Sequence, residues 1–391
     1  KRAARRSGAG NLDWIHVYVA IFMMAAALSL VLTPLCQKLA ALTGFMDVPK
    51  RQGHNLHAKA TPLLGGLAIF LAWAGTVGAG LLASHGAFLH RVDRMVTSNL
   101  GGMQSIEREF IVICLCALGA LALGLCDDRF TLTARTKLIV QAIIAAVAAT
   151  WGGVHISIFI HSAVIAWLIS FFWVMVIFSS FNFFDNMDGL AVGTATIAFT
   201  FFTMAAAANQ QFFVAALGAS CAGACLGFWF FNHNPASIFM GDAGSHFVGF
   251  MLAVVSSRVT YYTPDVSTTH LTVLIPLFIL AVPLFDTAAV VAIRLYNHKP
   301  IYVGDHNHIS HRFLHMGMSR KMAVLLVHLT AVVSGLGALP LLWGDERTCA
   351  VLLVQGVTFI ILLSLIQYIA GGRQEVKEGM PTTQSAETSK K

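Results

Sequence analysis

Long apolar segments, separated by shorter polar stretches, recur from one end of the chain to the other. A membrane-spanning helix needs roughly 20 apolar residues, and this length predicts about ten to eleven spans. The pattern therefore predicts an all-α, polytopic integral membrane protein. The predicted spans are Ile15–Leu35, Leu63–Leu82, Phe110–Cys126, Leu138–Trp151, Val164–Phe181, Leu190–Ala208, Phe212–Phe231, Phe247–Ser257, Leu271–Ile293, Met322–Trp343 and Cys349–Ala370.

The two chain ends differ in composition from the region between them. Residues 1–14 are basic and polar, and we expect them to form a tail before a retained first span, since no clear cleavage site follows. Residues 15–370 are predicted to be one membrane domain, because the loops are too short for a second fold. Residues 371–391 are rich in Ser, Thr, Glu and Lys, which is typical of a disordered tail.

Composition and charge narrow the class of protein further. Hydrophobic residues make up 57% of the 391 positions and charged residues only 11%, whereas soluble domains are near a quarter charged. A water-soluble globule is thereby excluded. The 25 Lys and Arg exceed the 18 Asp and Glu by +7, which suits an anionic membrane face or a phosphate-bearing substrate. No nucleic-acid partner is expected.

Eleven crossings place alternate loops on one side of the membrane. The loops at 36–62, 127–137, 182–189, 232–246 and 294–321 then share a side with the C-terminus, and they carry 12 Lys and Arg against five in the opposite loops. Cytoplasmic loops carry an excess of basic residues. We therefore predict that the N-terminus lies outside and that the C-terminus and these loops lie in the cytoplasm.

The same loops contain most of the unusual polar residues, and carboxylates at membrane depth are functional candidates. Asp127 and Asp128 are adjacent at a span end, where two carboxylates can share a proton or bind a divalent metal. A solvated helix end near Arg129 and Arg135 would look the same. This pair could form a single site at the cytoplasmic face together with the polar clusters in the other loops on that side.

Asn182, Asp185 and Asp188 lie one helical turn apart, so on a helix they would share an edge. That arrangement suits a metal or sugar hydroxyls, although Asp188 could equally cap the next span. Asp242 stands between Gly241 and Gly244, which let a ligand approach the backbone closely.

A histidine cluster completes the candidate site. His308 and His311, beside Arg312, suit zinc or a diphosphate group, and no fourth soft ligand lies nearby. The carboxylates favour a hard cation, Mg²⁺ before Mn²⁺. Residue chemistry alone therefore indicates phosphoryl transfer at the cytoplasmic membrane surface, between a soluble anionic substrate and a lipid.

From about residue 45 to 320, the chain resembles the polyprenyl-phosphate N-acetylhexosamine-1-phosphate transferase family. The resemblance lies in four motifs in the family's order: the pair Asp127-Asp128 followed by Lys137, the stretch Asn182 to Ala191, the stretch Phe239 to Ser245 preceded by Asn232, and the stretch Asp305 to Arg312. Each motif is weak alone, but the four together are specific.

The chain departs from the family pattern at three places. Asn186 stands where the motif has its first glycine, and Ser310 stands where the histidine motif has its middle histidine. The early loop has lost a basic pair but retains His57 and Lys59.

The resemblance implies an enzyme of the bacterial inner membrane that transfers a sugar 1-phosphate, most simply N-acetylglucosamine 1-phosphate, from a UDP-sugar to undecaprenyl phosphate. The transfer would release UMP and start a lipid-linked envelope glycan such as lipopolysaccharide. It implies Asp127, Asp128 and Asp242 as catalytic residues, with Asp242 and Asp128 holding Mg²⁺. The implied substrate-binding residues are Lys137, Asn182, Asp185, Asp188, Asn232, Phe239, His308, His311, Arg312 and His57.

Three other readings remain open from the sequence. Within the class, the enzyme could transfer phospho-N-acetylmuramoyl-pentapeptide. An ion-coupled transporter would also carry carboxylates and histidines in a polytopic chain, although it predicts charges at mid-span and inverted repeats. A lipid-binding scaffold would explain the altered histidine motif. A homodimer is compatible with all of them.

Overall fold

The computed structural model describes residues 4–48, 60–85, 100–156, 162–262, 269–300 and 308–378. This part of the chain is helical apart from loops and one antiparallel pair of two-residue strands, β1 (Met46–Asp47) and β2 (Thr61–Pro62). The helices are α1 Ala4–Thr43, α2 Gly65–His85, α3 Leu100–Phe130, α4 Ala134–Trp151, α5 Ala163–Phe184, α6 Leu190–Ala208, α7 Phe212–Asn232, α8 Gly241–Arg258, α9 Ile275–Ile279, α10 Ala281–Tyr296, α11 Ile309–His315, α12 Arg320–Ala338 and α13 Glu346–Glu378.

The helices confirm the predicted fold class. The predicted span Leu271–Ile293 is broken, and α8, which covers the predicted span Phe247–Ser257, is not among the helices apolar enough to cross a membrane. Within the described residues, nine helices are long and apolar enough to cross a membrane. A tenth crossing would combine His270–Ile279 with α10, which meet at a bend of 73°. Pro283 lies in the first turn of α10 and has no N–H to donate to the turn before it, so one continuous helix over Leu271–Ile293 is disfavoured.

Helix α8 occupies the centre of the bundle. It packs against α2, α3, α5, α6 and α7, and every residue from Ala243 to Ser256 is buried. Close approach depends on glycines in its neighbours: a Cβ at Gly124 of α3 or at Gly66 of α2 would meet α8 backbone atoms at 2.2 and 2.1 Å. Small residues at helix contacts are the usual way for membrane helices to pack tightly.

The predicted polar loops meet at one end of this bundle, which we call the site end. It consists of the C-terminal ends of α3, α5 and α7 and the N-terminal ends of α2, α4, α6 and α8. Backbone hydrogen bonds join them: Gly65 N–H donates to the Phe239 carbonyl at 3.1 Å, and Phe239 N–H donates to the Pro62 carbonyl at 2.8 Å. The fold thereby brings loops distant in sequence to one place.

The helices at the two chain ends extend past the predicted boundaries. Helix α1 begins at Ala4, inside the segment predicted as a tail, and α13 continues to Glu378, inside the predicted disordered segment 371–391. The residues that extend α13 include Arg, Gln, Glu and Lys, which are good helix formers despite their polarity.

Candidate active site

An ion pair between neighbouring helices lies at the centre of the site end. Lys137 Nζ is 2.6 Å from Asp127 Oδ2 and 4.0 Å from Asp242 Oδ2. Asp127 is only 3% exposed, and its Oδ1 accepts a hydrogen bond from Leu132 N–H at 2.8 Å. The Thr133 hydroxyl caps α4 and so fixes the helix that carries Lys137. One cation therefore faces two carboxylates from different helices.

The second aspartate of the pair has a different environment. Asp128 Oδ1 accepts from the Asp242 N–H at 2.8 Å, and its Oδ2 accepts from the Ala243 N–H at 3.0 Å. A carboxylate at a helix N-terminus satisfies amides that the helix leaves unpaired. Gly241 makes the approach feasible, because its φ is +68° and a Cβ there would lie 2.7 Å from Asp128 Oδ2. Asp128 thus holds the start of α8.

Asn182 orients the Asp242 carboxylate. Its Nδ2 donates to Asp242 Oδ1 at 2.6 Å and to Ser245 Oγ at 2.9 Å. The fully buried His246 places its Nδ1 2.7 Å from the Asp242 carbonyl oxygen. The Asp242 side chain is still 36% exposed, so its Oδ2 remains accessible beside Lys137.

Asp185 adds a carboxyl group without a matching hydrogen-bond donor. It follows α5 directly, and within the described residues its carboxyl group has no hydrogen-bond partner. Burial raises the pKa of Asp185 to about 8, and repulsion by Asp242, Asp128 and Asp188 adds to the rise. The site end therefore favours a cation next to this carboxylate.

Asp188 and Asn232 tie two loops together. Asp188 Oδ2 accepts from Asn234 Nδ2 at 2.9 Å and from Ala236 N–H at 3.2 Å. Asn232 is 5% exposed, and it accepts from Gly189 N–H at 3.0 Å while donating to the Ile238 carbonyl at 2.9 Å. In this arrangement both side chains shape the site, and their predicted substrate contacts stay predictions.

The histidine helix α11 is anchored by an aspartate that the sequence analysis missed. His308 Nδ1 lies 2.7 Å from Asp286 Oδ2, and Ile309 N–H donates to Asp286 Oδ1 at 2.7 Å. Asp286 lies in α10 and is fully buried. The signal was a single carboxylate inside the apolar run Leu271–Ile293, and such a residue is a functional candidate by default.

The structure places the remaining predicted residues as follows. His311 lines a small pocket together with Asn186, Asp188 and Arg320, while Arg312 is 9% exposed. Phe239 is half-buried next to the start of α8. His57 lies outside the described residues. The site end thus brings together three of the predicted clusters, and α11 brings the fourth beside the Asp185–Asp188 loop.

The donor set suits a hard cation better than a soft one. In the described ranges, no three His, Cys, Asp or Glu side chains form a ready-made metal cage. Magnesium rarely needs one, since it binds through one or two carboxylates and completes its shell with waters and substrate phosphates. Asp242 and Asp185 offer oxygens of that type, whereas both oxygens of Asp128 already accept amide hydrogens.

Comparison with known proteins agrees with the motifs. Residues 110–260 match the model of glycosyl transferase family 4. The chain is 30% identical over 363 residues to the probable undecaprenyl-phosphate N-acetylglucosaminyl 1-phosphate transferase of Bacillus subtilis, covering 91% of this chain and 92% of that protein. It is 29% identical to the decaprenyl-phosphate N-acetylglucosaminephosphotransferase of Mycolicibacterium smegmatis, over 91% and 90% of the two chains.

A second group of relatives matches a shorter region. The phospho-N-acetylmuramoyl-pentapeptide-transferase of Bacillus thuringiensis is 30% identical over 257 residues, which cover 60% of this chain and 72% of that protein. The nearly full-length similarity to the first group, together with the helical bundle and the four motifs, confirms the family resemblance. The chain is a multi-pass membrane protein that belongs to glycosyl transferase family 4, among the polyprenyl-phosphate N-acetylhexosamine-1-phosphate transferases.

Proposed function

We propose that this protein transfers N-acetylglucosamine 1-phosphate from UDP-N-acetylglucosamine to a polyprenyl phosphate and releases UMP. The observation that carries the proposal is the placement of Asp242. Its carboxylate is oriented by Asn182, faces Lys137, and lies in a site with more carboxylates than the described cation balances. Such a site suits a metal-bound diphosphate, and the nearly full-length relatives are named for this transfer.

The reaction forms one P–O bond and breaks another. An oxygen of the acceptor phosphate attacks the phosphorus that carries the sugar, and the bond from that phosphorus to the bridging oxygen breaks, so that UMP leaves with the oxygen. Direct attack is favoured over a phospho-aspartate intermediate, because the acceptor phosphate is already an anion. No extra co-reactant is required.

The carboxylates of the site would bind the metal, and the basic residues would bind phosphate oxygens. Asp242 and Asp185 would hold Mg²⁺, which when bound neutralises the diphosphate and its developing charge. Lys137 would attract the phosphate oxygens, and Asp127 would hold the Lys137 ammonium in place through their 2.6 Å contact. His308, positioned by Asp286, would present its other ring nitrogen to a phosphate.

Two alternatives fit the observations less well. A pentapeptide donor is disfavoured because relatives with that name match only about three fifths of the chain. An ion-coupled transporter is disfavoured because the candidate carboxylates gather at one end of the bundle rather than at mid-span, where a transporter would bind its ion.

The proposal includes the orientation of the protein in the membrane. The five loops on the predicted cytoplasmic side carry the site-end residues, so the active site would face the cytoplasm, with the N-terminus outside and the C-terminus inside. The substrate UDP-sugar would then be available from the cytoplasm, and the product would start a lipid-linked envelope glycan at the inner membrane.

The test is UMP release by the purified protein in detergent, given UDP-N-acetylglucosamine, undecaprenyl phosphate and Mg²⁺. Parallel reactions omit one substrate at a time, replace the donor with UDP-N-acetylmuramoyl-pentapeptide, or contain EDTA. Release that requires both substrates and the metal is the expected result. Release with the pentapeptide donor alone, or none from folded protein with any UDP-sugar, would overturn the proposal.

A further inference from the structure

One hydrogen bond joins the acidic loop to the histidine helix. Ser310 Oγ donates to Asn186 Oδ1 at 2.6 Å, across 124 positions of sequence. Ser310 is fully buried, so its hydroxyl would lose a hydrogen bond at a cost if Asn186 were absent. The contact therefore holds α11 against the loop between α5 and α6.

The residues beside this contact are the ones proposed to bind the donor. Asn186 directly follows Asp185 and lies two residues before Asp188. Ser310 lies between His308, which is anchored on Asp286, and His311. Fixing Asn186 to Ser310 thus fixes the carboxylates relative to the histidines.

The contact also joins two positions that depart from the family motifs. Asn186 replaces a glycine, and Ser310 replaces a histidine. Neither departure has an obvious reason by itself. In the structure the two residues are direct partners, because the Ser310 hydroxyl donates to the side-chain oxygen of Asn186.

A pocket next to the contact is bounded by both elements. Its lining includes Asn186 and Asp188 from the loop, His311 from α11 and Arg320 from the start of α12. The width of this pocket depends on the separation of the loop and α11. The hydrogen bond between Asn186 and Ser310 sets that separation.

We propose that Asn186 and Ser310 form a latch that positions the acidic loop and the histidine helix around the diphosphate of the nucleotide-sugar donor. Both are positioning residues, and the kinetic part of the inference rests on the proposed function. The latch takes the place of the histidine that the motif lacks at position 310. It acts on donor binding more than on the lipid acceptor, because the residues it connects are the proposed donor ligands.

The kinetic test uses five variants of the full-length protein. Asn186→Ala and Ser310→Ala should each raise the KM for UDP-N-acetylglucosamine about three- to tenfold, the range expected for one hydrogen bond, with kcat and the KM for undecaprenyl phosphate nearly unchanged. The double alanine variant should be no worse than either single variant. Ser310→His should be more impaired alone than when combined with Asn186→Gly, which makes room for the imidazole.

A matched control and a second readout keep the test decisive. Thr150→Ala removes the hydrogen bond that the Thr150 hydroxyl accepts from Trp167 Nε1 at 3.0 Å, at the other end of the bundle, and it should change neither KM. In hydrogen–deuterium exchange, Ser310→Ala should raise exchange in residues 183–189, and Asn186→Ala should raise it in residues 309–315.

Different outcomes would overturn the latch and the proposed function. Additive kinetic losses, equal effects on both substrates, or exchange that rises only around the mutated residue would overturn the latch. If the wild-type protein released no UMP, the proposed function would fail, and the reciprocal exchange pattern would still decide whether the latch exists.

Discussion

Two ion pairs at opposite ends of the bundle have different surroundings. At the site end, Lys137 contacts Asp127 at 2.6 Å and lies 4.0 Å from Asp242. At the other end, Arg258 pairs with Glu109 and donates its next hydrogen bond to the neutral Gly153 carbonyl at 2.9 Å. Arg258 and Glu109 balance each other's charge one to one. At the site end, the single cation Lys137 faces two carboxylates, so one carboxylate charge is left unbalanced.

The difference separates a charge pair that holds helices together from the charges that we propose bind a ligand. Arg258 joins the beginning of α3 to the ends of α4 and α8, and its partners account for its charge. At the site end, burial raises the pKa of Asp185, and repulsion by the nearby Asp242 raises it further. A fold tolerates such repulsion where a bound cation offsets it.

The largest expected effect comes from removing the surplus charge. Asp242→Asn keeps the size of the side chain and an oxygen for Asn182, but it removes a carboxylate from the proposed metal site. We expect UMP release to fall by about a hundredfold or more, as for other losses of electrostatic stabilisation in a transition state.

The control for Asp242→Asn is a substitution in the Arg258–Glu109 pair. Glu109→Gln is the same chemical change at the opposite end and should leave the turnover number close to the wild-type value. Comparable losses of activity in both variants, measured as initial rates of UMP release, would remove the distinction between the two ends.

A smaller loss is expected when the site-end cation is removed. Lys137→Ala should lower kcat/KM about ten- to a hundredfold, which corresponds to one charge-assisted hydrogen bond to phosphate. Lys137→Arg, which restores the charge, should recover part of the activity. Full activity of the alanine variant in steady-state assays would show that Lys137 only neutralises Asp127.

The anchor of the histidine helix should have an intermediate effect. Asp286→Asn retains one acceptor oxygen for two donors, His308 and Ile309, so the ring of His308 is held less firmly. We expect kcat to fall about tenfold, the upper end for one neutral hydrogen bond. Steady-state kinetics and a melting curve in detergent together separate loss of positioning from unfolding. A fall in kcat accompanied by a large fall in the melting temperature would contradict a positioning role.

The smallest effect is predicted for the balanced pair, and it concerns stability. Glu109 is 37% exposed, so solvent weakens its attraction to Arg258. Glu109→Gln should lower the free energy of unfolding by only about 0.2–1 kcal/mol, seen as a slightly lower melting temperature. A large loss of stability would mean that this pair carries more of the fold than its exposure suggests.

The sequence predicted the spans and the grouping of polar loops because both depend on local properties. Apolar length identifies a helix such as Leu190–Ala208, which the structure reproduces at both ends. Counting crossings then assigns Asp127 and Asp242 to one end of the bundle without any contact being known. The break before α10 was missed because the apolar run continues across it.

The roles of individual residues needed tertiary structure. Asp127 and Asp128 are neighbours in sequence, but successive helical residues point about 100° apart, and their partners Lys137 and Asp242 come from other helices. Asp286 was hidden in an apolar run. No local pattern could show that Ser310 meets Asn186, since that contact depends on the packing of α11.

The most direct test of the account is metal binding without any substrate. Mn²⁺, used as a spectroscopic substitute for Mg²⁺, is titrated into the detergent-solubilised protein and free ion is measured by electron paramagnetic resonance. We predict one Mn²⁺ site in the wild type that is lost in Asp242→Asn and retained in Glu109→Gln. Equal binding by the wild type and Asp242→Asn, or loss in both variants, would contradict the claim that the unbalanced end of the bundle is built to hold a cation.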